Sequence, residues 1–309
     1  MKSNVFPESK EKKFIRDRIF TNDIIPLSED IDKSLVYFGL PSASMRDVKK
    51  WKSTLGKVVA VERNQEVAKK IYRRATKIQI RKRLILFEME INRVLYMLSL
   101  EDSLFNSEVS GLPSHTQDKF SIIRKTPFRV VNLDYFGGFL YPSDDGSNKH
   151  SKSLDYLSKH QAKFGEPFLL FLTFQIRDDG ADHYDHFIEE TINAMENSGG
   201  IRSPSIVPYF TESDFSEVSM HLRRMKFCIP VFILKLFYED YDVSVNNIYK
   251  YKSFLFFSIR MDPRPESGAL GRWPPVEDIH RIVSEDVLSL SSPEGGGGIE
   301  TDYIPHTDS

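Results

Sequence analysis

A chain of 309 residues, 40% hydrophobic and 28% charged with a formal net charge of −2, has room for one large domain with appendages or for two modest ones. The near-neutral balance excludes a wholesale polyanion binder, although it leaves scope for local basic surface. A single cysteine, Cys228, excludes an internal disulfide and any multi-cysteine zinc site, which fits a reducing, cytoplasmic setting.

Met1 to Lys13 is polar and mixed in charge, so it does not read as a secretory signal. The longest apolar run, Phe227 to Tyr238, is broken by Pro230 and Lys235 and is too short to span a bilayer, so no membrane partner is expected. A short helix from Glu8 to Phe20, basic on one side and apolar on the other, reads as a packing arm over residues 1–30.

The core opens with Leu35 to Leu40, a strand that runs into the small-residue turn Pro41-Ser42-Ala43-Ser44. A helix from Met45 to Leu55 is expected next, with Ser44 as its N-cap. Lys57 to Asn64 follows as a second strand ending in an acid, then the helix Gln65 to Ile78. Arg83 to Ile91 reads as a third strand, closing at Glu90, and 101–127 as a loop-rich crossing.

Phe128 to Leu140 organises the rest. Phe128, Val130, Val131 and Leu133 form a buried strand that emerges at Asn132 and Asp134 into an aromatic and glycine-bearing loop, Tyr135-Phe136-Gly137-Gly138. Polar groups at the carboxyl end of such a strand are informative, because open parallel sheets bind ligands there. A helix over 153–163 leads to a fifth strand, 167–176, with Gln175, Arg177 and Asp178 at its end. Helices over 183–197 and 215–240 follow, the second bent or divided at Pro230. The strands 241–251 and 253–260 are so closely linked that they must pair antiparallel. Residues 263–309, rich in proline, glycine, serine and acid, read as a largely flexible tail with at most one docked helix near 276–288.

Five strands separated by helices and followed by an antiparallel hairpin resemble, over about residues 35–260, class I methyltransferases that use S-adenosylmethionine. The resemblance implies an α/β fold: a three-layer Rossmann-like sheet of about seven strands, mostly parallel with a C-terminal antiparallel hairpin, spanning 31–262. It also implies a cofactor site. The loop with Phe38, Gly39, Pro41 and Ser42 would lie under the methionine part of S-adenosylmethionine, Glu62 with Arg63 beside it would meet the ribose hydroxyls, and Glu90 with Ile91 would stand near the adenine. Asn132, Asp134 and Tyr135 would form the catalytic loop, with Phe136, Gly137 and Arg177 toward the substrate. Asp134-Tyr135-Phe136-Gly137 is similar to the Asp-Pro-Phe-Gly loop of transfer-RNA guanine-N2 methyltransferases, with no proline here.

Each of these residues also has a plainer role. Glu62 could pair with Arg63, Asp134 could cap its turn, and Tyr135 and Phe136 could pack the loop rather than stack on a base. Eight basic residues between Lys69 and Arg83 suit phosphate contacts or a solvated helix face. Asp182-His183-Tyr184-Asp185-His186 has the spacing of metal ligands but no third cluster to complete a site, so no metal is expected. Methyl transfer to a nucleic-acid base or another amine is the expected activity, with a protein partner as a source of specificity. A binding or sensor subunit without turnover is the alternative, motivated by the single glycine of the first loop. A nicotinamide oxidoreductase is disfavoured by the missing Gly-x-Gly-x-x-Gly.

Overall fold

The computed structural model describes residues 9–135, 139, 149–176, 181–197, 217–264, 274, 276–283, 287–291 and 299–304. The chain starts with helix α1 (Lys10–Ile19), a π-helical turn (Phe20–Ile24) and α2 (Ile25–Asp30). Ser9 caps α1 by accepting from the Lys12 N–H at 3.2 Å. Then come β1 (Leu35–Gly39), α3 (Arg46–Trp51), β2 (Leu55–Val61), α4 (Gln65–Lys77) and β3 (Leu84–Phe87). Helices α5 (Ile91–Ser99), α6 (Asp102–Ser110) and α7 (Ser114–Ile123) lead to β4 (Val130–Asp134). The order continues as α8 (Lys149–Ala162), β5 (Phe168–Gln175), α9 (Ala181–Asn197), α10 (Glu217–Phe237), β6 (Tyr241–Tyr251) and β7 (Phe254–Pro263). The chain closes with α11 (Val276–Val283), β8 (Val287–Ser291) and β9 (Glu300–Ile304).

Among the described residues nine strands join one sheet in the order β3-β2-β1-β4-β5-β7-β6-β8-β9. β1 to β5 are mutually parallel where they pair, β7 lies antiparallel between β5 and β6, and the mostly parallel Rossmann-like layer with its terminal hairpin is the architecture expected. The strand count is corrected upward from seven. Val287–Ser291 pairs parallel with β6 and Glu300–Ile304 pairs antiparallel with β8, so the segment read as tail extends the sheet.

Alternation along the strands sorts the core into two layers. Leu35, Tyr37, Val58, Ala60, Val130 and Phe171 face α1 to α4 through Ile15, Ile19, Leu27, Trp51, Ala68 and Ile71. Phe38, Val59, Val131, Leu133, Leu170 and Phe174 face the opposite layer, where α5, α7, α8 and α10 contribute Leu95, Phe120, Leu157 and Ile233.

Three readings change. The third strand stops at Phe87, because Glu90 and Ile91 begin a helix. The crossing at 101–127 contains α6 and α7, whose buried residues are few: Phe105 in one, Phe120 and Ile123 in the other. Helix α10 runs through Pro230 undivided, over 21 residues.

Candidate functional site

The chain order reverses direction between β1 and β4: β2 and β3 lie on one side of β1, β4 and β5 on the other. Such a switch point leaves a crevice at the carboxyl edge. Gly39 is level with Ala60 on β2 and with Asn132 on β4, so Glu62 and Asp134 each stand two residues beyond that level. Two strand spacings put their backbones about 10 Å apart, on either side of the end of β1. Both also share the parity of the α1–α4 face, which Ala60 and Val130 occupy.

Gly39 is glycine for a steric reason. A Cβ there would meet the Asn132 carbonyl oxygen at 2.2 Å and the Tyr37 hydroxyl at 2.9 Å, and the next amide, Leu40, donates to the same carbonyl at 3.1 Å. The close β1–β4 approach therefore requires the bare backbone. Beyond it, Pro41 is buried and Ser42 is exposed, its hydroxyl 2.6 Å from that of Ser44. Ser44 is not the N-cap of α3. Met45 holds that position in a left-handed conformation, φ 48°, with its side chain buried, and makes no side-chain cap. The Ser44 carbonyl instead accepts from Arg74 Nε at 3.1 Å, which ties the loop to α4.

At the end of β2 the Glu62 N–H still pairs with Phe87 O at 2.9 Å, and its Oε1 accepts from the Asn64 N–H at 2.8 Å. Asn64 in turn caps α4 by accepting from Glu66 and Val67. The half-buried Glu62 carboxylate is thus fixed by its own turn while it keeps further acceptor sites. Arg63 and Glu90 pair with each other at 2.8 Å across the exposed ends of β2 and β3.

A polar cluster forms under β4. Asn132 Nδ2 donates to Asp47 Oδ2 at 3.2 Å, and Arg16 of α1 also pairs with Asp47. Lys12, one helical turn away on α1, approaches Asp134 Oδ2 at 3.3 Å and lies 5.8 Å from the ring centres of Tyr251 and Phe254. Desolvation raises the Asp134 carboxyl above its usual range and the charge of Asp47 adds to this, while Lys12 and Thr173 act against it. Burial, reinforced by Asp47, pushes the Tyr37 phenol well up.

The structure divides the expected residues. Gly39, Glu62, Asn132 and Asp134 come to one edge of the sheet, with Arg63 and Glu90 beside them. Three others are turned away. Phe38 stacks on Phe128, centroids 4.4 Å apart, in the opposite layer. Ile91 is buried in the first turn of α5. Tyr135 is 4% exposed and packs against His150 and Phe174, so it presents no face to a substrate. Its odd parity relative to Asn132 and Asp134 carries it to the other face. Phe136, Gly137 and Arg177 lie outside the described residues. Lys12, Arg16 and Asp47 were missed, and only the spacing of Lys12 and Arg16 on one face of a helix was available to find them. Among the described residues no group of three histidine, cysteine or acidic side chains could hold a metal, and no helix is long and apolar enough to cross a membrane.

Fold and edge together define a Rossmann-like domain with its polar groups at the carboxyl ends of β1, β2 and β4. The chain belongs to the PP_RS20740-like family, whose pattern matches residues 10–207. No curated protein sequence matches it. Among solved structures it is similar to Trm1 from Pyrococcus horikoshii in complex with S-adenosyl-L-methionine, at 8% identity and a TM-score of 0.45, covering 96% of this chain and 64% of that one. It is also similar to an rRNA methylase from Streptococcus thermophilus, at 9% identity and a TM-score of 0.41, covering 83% and 98%. A third is the N-methyltransferase NodS from Bradyrhizobium japonicum with S-adenosyl-L-homocysteine, at 9% identity and a TM-score of 0.35, covering 81% and 88%.

Proposed function

We propose that this chain is an S-adenosylmethionine-dependent methyltransferase acting on an amine, with a nucleic-acid base as the favoured acceptor. The observation that carries the reading is the pair of carboxylates, Glu62 and Asp134, at one level on either side of Gly39 and at the switch point of a sheet whose last hairpin strand inserts antiparallel beside β5. The donor set suits the cofactor: Glu62 keeps spare acceptor sites that would take a ribose diol, the 40–44 loop, with its small residues and serine hydroxyls, would receive the amino-acid portion, and Glu90, paired with Arg63, would stand toward the base. When bound, the cofactor supplies an electrophilic methyl group.

The protein's contribution is then positional. Asp134 accepts a hydrogen bond from the incoming amine and holds its lone pair in line, while Asn132, tied to Asp47, fixes the strand end from below. Proximity and alignment can supply about 7–11 kcal/mol of a barrier. Transfer of tritiated methyl groups to total RNA, DNA and protein tests the reading. The expected result is label in one pool, lost in Asp134→Ala. A second reading, a binding subunit without turnover, is favoured by the engagement of Asp134 by Lys12 and by the burial of Tyr135. Cofactor binding with no label in any pool would select it.

A further inference from the structure

Charge is segregated along this nearly neutral chain. Between residues 46 and 83, fourteen side chains are lysine or arginine and three are acidic, so the remainder is net acidic. The fold gathers the basic segment onto one outer surface. Ala68, Ile71 and Ala75 press α4 against the sheet, which leaves Lys69, Lys70, Arg73 and Lys77 exposed in a stripe with 3–4-residue spacing. At 13 residues α4 is about 20 Å long. The stripe begins beside Glu62 at the carboxyl edge and ends toward Arg81 and Lys82 at the other.

Part of this charge is neutralised within the protein: Lys69 pairs with Glu66 at 2.7 Å, Lys50 with Asp17 at 2.7 Å and Arg63 with Glu90 at 2.8 Å. Lys49, Lys52, Lys70, Arg73, Lys77 and Lys82 form no ion pair among the described residues. Among the described residues the large apolar side chains that are exposed, Leu104 and Ile122, lie on α6 and α7, in the opposite layer. A surface on which six cations remain outside any ion pair, without protruding apolar groups, suits the regular phosphates of a nucleic acid better than a bilayer, which would favour apolar insertion beside the charge.

We infer that the outer face of α3 and α4 is a docking surface for the nucleic-acid backbone, one that leads a bound strand to the edge where Glu62 and Asp134 stand. Its role as a substrate guide rests on the methyltransferase reading, whereas the surface itself does not. Phosphate contacts position a strand without reading its sequence, so this face would supply affinity and register.

Fluorescence anisotropy of the full chain with a labelled 24-nucleotide RNA, and with DNA of the same sequence, tests the inference at several salt concentrations. Lys70→Glu/Lys77→Glu is compared with Lys125→Glu/Lys152→Glu, an equal change in charge made at exposed sites elsewhere. The inference predicts wild-type binding that weakens steeply with salt. It also predicts a loss of about tenfold or more, with a shallower salt slope, in the first variant and little change in the second. Three outcomes would overturn it: no binding to either nucleic acid at 50 mM salt, equal weakening in both variants, or binding confined to phosphatidylserine vesicles. Titrating S-adenosylmethionine into the same preparations separates the two claims. Cofactor binding without RNA or DNA binding removes the surface alone, and the reverse removes the cofactor alone.

Discussion

The two faces of the sheet are built from the same alternating strands but bury different chemistry. Under α1 to α4 the carboxyl half of the sheet collects Asp23, Asp47 and Asp134, each answered by a named donor, with Asn132 as the donor to Asp47. On the opposite face the sheet presents rings and aliphatic side chains, Phe38 on Phe128, Tyr135 on Phe174 and Phe139 on Phe232, while the covering helices also bury Ser153, Gln161, Thr191 and Lys226. His160, at 0% exposure, sits there against Phe128 and Phe164. One face is therefore held by packing. The other exchanges some of that stability for ionisable groups within reach of a crevice.

The comparison breaks first at Phe128. Phe128→Ala removes a ring shared by Phe38 and His160, and should cost about 3–5 kcal/mol in urea unfolding. A cost below 1 kcal/mol would mean that this layer is not what holds the sheet.

His160 gives the next effect. Desolvation, with the charge of Lys163 second, lowers its pKa to about 3, so the native imidazole stays neutral while the unfolded one takes up a proton below about pH 6.5. The folded pKa is the depressed one, so stability present above pH 6.5 is lost as pH falls toward 3. Between pH 7 and pH 5 the loss attributable to this group is on the order of 2 kcal/mol. Denaturant midpoints measured across that range should fall in the wild type and fall less in His160→Gln.

The smallest effect belongs to Asp23, which accepts from Asn246 at 2.9 Å and from Ser258 at 2.8 Å and thereby docks the N-terminal helices on the hairpin. Burial raises its pKa, ahead of the opposing hydrogen bonds and the charge of Arg260. The native state thus favours the protonated form, and stability declines as pH rises from the ordinary carboxylate value through the raised one. Asp23→Asn keeps an acceptor for Asn246 and can donate to Ser258, so thermal melts should show equal or higher stability at pH 7 and a flatter slope above pH 4. A marked destabilisation would indicate that the ionised carboxylate is itself stabilising.

Much of this fold was legible in the sequence. Leu35–Gly39, Phe168–Gln175 and the 241–263 hairpin are apolar runs bounded by turns, and α4 has a clean apolar stripe. The helices α6 and α7 were not legible, because one or two buried residues apiece leave no periodic signal. β8 and β9 are five residues long and exist through pairing with β6 and with each other, information that is not local. At the edge, the strand ends at Gly39, Glu62 and Asp134 could be read from their order. The assignment of Tyr135 to the same cluster ignored the alternation that separates it from Asp134, and Lys12 reaches that carboxylate across 122 positions of sequence.

The account stands most directly on Glu62. Calorimetric titration of the wild-type chain with S-adenosylmethionine, with S-adenosylhomocysteine and with NAD should give saturable binding of the first two and none of the third, and Glu62→Ala should abolish it while the protein retains its wild-type melting temperature. Heat from neither methyl donor nor product, or binding unaffected by Glu62→Ala, would contradict the placement of an adenosine at this edge.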